Sequence, residues 1–306
     1  MPEGCRIAAP LPRLIAARAF ESYKQFMDSL PIADIAEPRE AAPRTVRIMG
    51  RVNWIGFWTL FLKEVRRFVK VYMQTIVAPV GTALLFYAVF SLAMGGTAAA
   101  RAVGQVPFFN FLAPGLIMMT MSQNAFANTS SSVMISKVQG NIVDVLMTPI
   151  SPTEIAVAWT FAGIFRGLLV GVAATAVIDL FLPIRIVDIG AVIVFGVLGT
   201  MTMSLLGVIG AIWADKFDHI AAVTNFIVTP LTFLSGTFYS VDRFPPALRA
   251  VTRFNPFFYM IDGFRYGFIG HADAPLWHGF WVLVVANALL WAVMLRMLVT
   301  GYKLKS

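Results

Sequence analysis

Residues 136–154 read SKVQGNIVDVLMTPISPTE. They lie between two stretches apolar and long enough to cross a bilayer. A simple turn would suffice to join two spans. Here the joint carries helix-forming residues, then a Thr148-Pro149-Ile150-Ser151-Pro152 stop. Val138, Ile142, Val145 and Leu146 share one face at helical spacing, with Asn141, Asp144 and Thr148 on the rest. Pro149 and Pro152 end the helix, and Glu154 opens the next span. A short helix over about 137–150, its apolar ridge toward the cytosol, fits a groove on a soluble partner. The same ridge fits the protein's own bilayer, and periodicity leaves the two open.

The wider composition supports a membrane setting. The chain has 306 residues, 58% hydrophobic and 13% charged. A soluble domain is about 45–50% apolar and about 25% charged, so the excess fits lipid-facing surface. The single cysteine, Cys5, permits no disulfide within the chain. The net charge of +8 does not indicate nucleic acid, because 12 of the 24 basic residues precede the first span. A basic flank of this kind belongs on the cytoplasmic, lipid-facing side. Residues 1–52 mix both charges, contain no apolar run resembling a signal peptide, and are expected to form a flexible cytosolic extension. Leu11 to Leu30 suits one weak amphipathic helix.

A hydrocarbon core of roughly 30 Å needs about 20 apolar residues in a helix. Six segments meet or approach this: about 75–94, 113–134, 155–178, 189–213, 220–239 and 276–300. The second is polar for a span, with Ser122, Gln123, Asn124, Asn128, Thr129 and Ser130 to Ser132. Such residues must face other helices or water. The fifth carries Asn225 and Pro230, where a kink is expected. With both termini cytoplasmic, 16 Lys and Arg lie inside and six outside, which fits the positive-inside rule. Four of the six, Arg243, Arg249, Arg253 and Arg265, crowd the last outer loop against that trend.

Before the first span, an amphipathic helix is expected over about 53–73. Trp54, Phe57, Trp58, Phe61, Val65, Phe68 and Tyr72 form its apolar face; Thr59, Lys63, Arg66, Arg67 and Lys70 take the opposite one. Asn53 is the N-cap. Aromatic on one side and basic on the other, the helix should lie in the inner headgroup layer. The segment at about 240–272 is broken by Pro245-Pro246 and Asn255-Pro256 and is rich in Phe and Tyr. It suits two short re-entrant helices dipping into the outer interface. The expected fold is an all-α polytopic membrane protein with six transmembrane helices, an interfacial helix before them and a re-entrant pair before the last.

Catalytic signatures are missing from the sequence. No Gly-Lys dipeptide occurs, so there is no P-loop. His219, His271 and His278 have no metal-ligand spacing. Arg166 falls near the middle of the third span, where an arginine costs about 2.5–3.5 kcal/mol on insertion scales. It must face protein, water or an anion. Contact with an anionic substrate group and a hydrogen-bond hub to the polar second span both remain open. Gly163, Gly167 and Gly171 make one small-residue stripe for close helix packing, within the subunit or between subunits.

Three stretches, GNIVDVLMTPISPTE at 140–154, GIFRGLLVG at 163–171 and LSGTFYSVDRFPPALRAVTRFNPFFYMIDGFRYGF at 234–268, occur in one register. From about Trp54 onward the chain resembles the ABC-2 type permeases of bacterial ABC exporters. That resemblance implies a bacterial inner-membrane permease, a homodimer, joined to two ATPase subunits. It implies that Gly140, Asn141, Ile142, Asp144, Val145 and Leu146 form the coupling helix set in an ATPase groove. ATP and Mg2+ would sit on the ATPase, leaving this chain without cofactor or catalytic site. The cargo would be hydrophobic or amphipathic: a drug, lipid or glycan. An ion channel or ion-coupled carrier would need carboxylates buried in the spans, whereas Glu154, Asp179, Asp188 and Asp215 sit at span ends.

Overall fold

The computed structural model describes residues 20–26, 53–94, 107–181, 183–239, 241, 245, 249 and 252–304. Residues 1–49 and 50–306 form two separate units. In the first, only 20–26 is described, and it is helical; the rest of the expected extension lies outside the described residues. In the second unit, among the described residues, every regular element is a helix.

Helix α1 spans Trp54–Val69; Asn53 caps it by accepting the Gly56 N–H at 2.9 Å. Helix α2 is a π turn at Met73–Val77 running into Ala78–Met94. Helix α3 spans Phe108–Val138 and a six-residue helix, α4, spans Ile142–Met147. Helices α5 and α6 follow at Pro152–Asp179 and Ile189–Trp213. Helix α7 spans Phe217–Leu234, with a π turn at Thr224–Val228. Helix α8 spans Pro256–Ile269, and α9 spans Leu276–Thr300. Both π turns lie just before a proline, Pro79 and Pro230. Proline has no N–H for the carbonyl four residues back and crowds it, and an i→i+5 turn absorbs the misfit. The irregularity expected at Asn225 and Pro230 takes this form. Helix α7 ends at Leu234 rather than near Tyr239: Gly236 turns the chain with φ +79°, a left-handed conformation suited to glycine.

Among the described residues, five helices are long and apolar enough to cross a bilayer: 73–93, α5, α6, α7 and α9. The α3 helix falls short in hydropathy but is the centre of the bundle, packed on α5 and α6 and touched by α8 and α2. Asn124, Asn128, Thr129, Ser130 and Ser132 are all buried. Their polarity is therefore directed into protein rather than lipid. Two apolar clusters flank this column. One gathers Phe111, Leu116, Phe258, Met260 and Phe264. The other lies near α4 and gathers Leu60, Met134, Ile142, Ile155, Trp159 and Leu298.

The aromatic segment after α7 differs from expectation. Phe257, Phe258, Tyr259, Phe264 and Phe268 are buried in the protein's own core, not arrayed as a lipid-facing belt. Gly263 and Gly267 permit this, because a Cβ at either would collide with Phe195 or Val192 of α6. Most of the first expected re-entrant helix lies outside the described residues.

Candidate functional site

The site is built where α1, α4 and the start of α5 converge. The helix α3 ends at Val138, and Gly140 turns the chain with φ +75° into α4. Six residues make too short a helix to stand alone, so α4 must spend apolar side chains on its own protein. Ile142 is buried against the cluster around Leu60 and Ile155, with Val145 and Leu146 half-buried beside it. This corrects the expected outward ridge at Ile142 and in part at Val145 and Leu146, while Val138 is exposed as expected. The exposed side of the joint instead carries Val138, Gly140, Asn141, Val143, Asp144 and Met147, the last 79% exposed.

Glu154 ties this joint to α1. Its carboxylate accepts the Ser151 N–H at 2.6 Å, while the Ser151 hydroxyl accepts the Glu154 N–H at 3.3 Å. That is a capping box at the start of α5. The other carboxylate oxygen accepts the Asn53 N–H at 2.5 Å. The Asn53 amide also donates to the Pro149 carbonyl at 3.0 Å. Gly56 lies so close to Ile150 that a Cβ there would be 2.9 Å from its side chain. One carboxylate thus closes the N-termini of two helices and fixes α1 to the segment that follows α4.

Further along α1, Trp54 and Trp58 are exposed, as are Lys63 and Arg66. Arg67 is not on that basic face. It donates to the Asn128 carbonyl at 2.8 Å, the Asn128 side chain at 3.1 Å and the Ser131 hydroxyl at 3.1 Å. It also pairs with Glu64 at 3.2 Å, which accepts from Ser132 at 2.6 Å. Glu64 was missed in the sequence. Its signal is spacing: it falls four residues after Leu60 and four before Phe68, inside the buried stripe, where an acid needs a partner.

Arg166 is buried on α5 and donates to the Asn124 side chain of α3 at 3.0 Å. Asn124, Asn128 and Ser131 or Ser132 recur at helical spacing, so one face of α3 receives Arg166, Arg67 and Glu64 in turn. The glycine stripe lies against the same helices. A Cβ at Gly163 would strike Ser204 and Thr129, at Gly167 it would lie 2.8 Å from Thr200, and at Gly171 it would strike Met121.

At the end of the bundle nearest α4, Lys137 of α3 donates to the carbonyls of Ile212 at 2.8 Å and Ala214 at 2.6 Å. A cation there suits the negative end of α6. Lys303, beyond α9, pairs with Asp215 at 2.8 Å. At the opposite end Arg265, counted among the outer-loop arginines, is fully buried. It donates to the Gly236 and Phe111 carbonyls at 2.6 and 3.3 Å and stacks 3.7 Å over the Phe111 ring. It therefore belongs to the interior rather than to the loop charge. Nearby Asp262 accepts the N–H groups of Asp273 and Ala274 at 2.9 and 3.0 Å. Burial pushes its carboxyl up to about 6, against those bonds and the Arg265 cation.

Residues 55–269 match the family model described as ABC-2 type transporter. The chain is 36% identical to the inner membrane transport permease YadH of Escherichia coli (strain K12) over 262 residues, covering 84% of this chain and all of that protein. Nodulation protein J of Rhizobium leguminosarum bv. trifolii is 24% identical over 72% of this chain and 83% of its own length. A family match over more than half of the chain, joined to a relative of that identity and coverage, shows that this protein is a transmembrane transport permease of the ABC-2 type transporter family.

Proposed function

We propose that the chain is the permease half of an ATP-driven exporter in a bacterial inner membrane, with both termini cytoplasmic. It moves a hydrophobic or amphipathic cargo outward: a drug, lipid or glycan. Family membership implies an ABC ATPase partner; two copies of it bind ATP and Mg2+ and supply the energy. The observation that carries this reading is the joint at α4. A short helix between two bundle helices exposes Asn141, Val143, Asp144 and Met147 while its other face is fixed inward. Such an element suits a socket in the ATPase, with Gly140 to Leu146 as the coupling helix.

Six spans follow if α3 is added to the five apolar helices. Its 31 residues reach about 46 Å at 1.5 Å per residue, and its polar groups face inward. The 14-residue α8 is too short to span and fits the second half of a re-entrant pair. A homodimer is supported by Asn225, which is exposed on α7, a helix with little of its surface buried. Hydrocarbon is a poor solvent for an amide, and a second copy against α7 and α2 would cover it.

The test is copurification with an ABC ATPase and measurement of its activity in the membrane complex. Asp144→Lys with Met147→Glu changes only outward side chains. It is expected to abolish assembly while leaving the permease folded. Intact assembly and transport in that variant would sink the coupling role.

A further inference from the structure

A groove of about 580 Å3 runs between α5 and α6 at the end furthest from α4. Val172, Thr175, Ala176, Ile193 and Phe268 line it. Val172 and Ile193 are among the most exposed large side chains of their helices. On membrane helices that exposure faces hydrocarbon. A second pocket of about 270 Å3 adjoins it, sharing Ile184 and Phe268, and is lined by Asn110, Pro183 and Arg185. Arg185 is exposed and, among the described residues, has no ion pair or hydrogen bond. The two acids nearby are engaged with backbone: Asp179 accepts the Ile184 N–H at 2.7 Å, and Asp188 accepts the Ala191 N–H at 3.1 Å.

We propose that this pair of cavities is a phospholipid site in the leaflet at that end of the bundle. One acyl chain lies in the apolar groove and the headgroup phosphate meets the Arg185 guanidinium. Arginine's planar fork suits phosphate oxygens, and a groove of this volume falls in the about 300–1,000 Å3 range of specific small-molecule sites. A hydrocarbon chain alone would not use the cation, and a free anion would not use the groove. The shared wall of Ile184 and Phe268 joins the two in one amphipathic ligand. The proposal rests on the membrane assignment alone, not on the direction of transport or on α4.

The probe is phosphatidylglycerol with a photoreactive acyl chain, added to the full-length permease in nanodiscs, with labelled peptides mapped by mass spectrometry. Labelling is expected to concentrate in residues 168–197. Ala176→Trp fills the groove from an exposed position and should cut that labelling about fivefold, a change of about 1 kcal/mol. Arg185→Gln should remove the preference for phosphatidylglycerol over a diacylglycerol carrying the same chain. Melting curves check that both variants fold; should Ala176→Trp fail, Ile193→Trp fills the same groove. Labelling spread evenly over the lipid-facing helices, an unchanged lipid preference in Arg185→Gln, or crosslinks across the groove to a second permease would each overturn the site.

Discussion

Replacing Glu154 should loosen α1 from the segment that follows α4 before it harms the bundle. The carboxylate accepts two backbone N–H groups, from Ser151 and Asn53, on separate oxygens. Hydrogen bonds to charged groups contribute about 1.5–3 kcal/mol each. Loss of a helix cap costs about 0.5–2 kcal/mol. Glu154 is only half-buried, so water can replace part of what is lost, and the low end applies. Glu154→Ala should therefore weaken the joint by about 2–3 kcal/mol. Glu154→Gln keeps one carbonyl acceptor and should lose about half. Ser151→Ala removes only the returning half of the capping box and leaves the bond to Asn53. Hydrogen exchange of the amides from Asn53 to Trp58, measured on the permease in nanodiscs, reads the difference. Protection should fall roughly 30- to 160-fold in Glu154→Ala, less in Glu154→Gln, and little in Ser151→Ala. If Glu154→Ala exposed the start of α5 but left the start of α1 as protected as before, the double role of the carboxylate would be refuted.

Gly167→Val should lower the melting temperature, since it adds bulk 2.8 Å from Thr200 and 3.0 Å from the Met121 carbonyl; overpacking costs about 1–3 kcal/mol. Arg265→Met leaves the Gly236 and Phe111 carbonyls buried without this donor; at about 1–3 kcal/mol for each, a loss of about 2–6 kcal/mol is expected in denaturation of the purified protein. Asp262 has a folded pKa of about 6 against 3.8 for the free group. A raised carboxyl favours the folded state only while it is protonated, so stability should fall as pH rises from about 4 to about 6, by on the order of 3 kcal/mol. Melting curves across that window should flatten in Asp262→Asn. Arg166→Gln and Asn124→Ala remove the same bond, so their double variant should impair transport no more than the worse single one; additive losses would mean that Arg166 acts on cargo independently.

The apolar helices were legible in the sequence because lipid imposes one requirement along their whole length. The α1 helix was legible from its 3.6 period, and its cap from Asn53. What escaped is the set of polar groups whose partners are distant in sequence. Arg67 projects onto the basic side of a helical wheel, yet its partners lie more than 60 residues away at Asn128 and Ser131. Arg265 looked like a charge in an outer loop because its acceptors, on Phe111 and Gly236, are backbone carbonyls that no residue type announces. The α4 ridge was legible as a face, but what covers Ile142 is the protein's own core, neither the partner nor the bilayer that the period left open. Periodicity locates a face without saying which neighbour covers it, and a helix of six residues must use its apolar side for its own attachment.

That placement of Ile142 bears on how a push on α4 would travel. Were the apolar ridge outward, α4 would hang from two flexible joints and could move alone. With Ile142 buried in the same apolar cluster as Leu60, Ile155 and Trp159, a displacement of α4 would press on the core that α1 and α5 share. The Glu154 carboxylate then holds those two helices at their shared corner. Arg67 and Glu64 carry the displacement of α1 to Asn128, Ser131 and Ser132 on α3, and Arg166 links α5 to Asn124 on the same helix. Both routes end on one face of the central helix. A rigid response of α3 is thus favoured over local yielding at the joint, because yielding would strip charged groups of partners in a medium that supplies none.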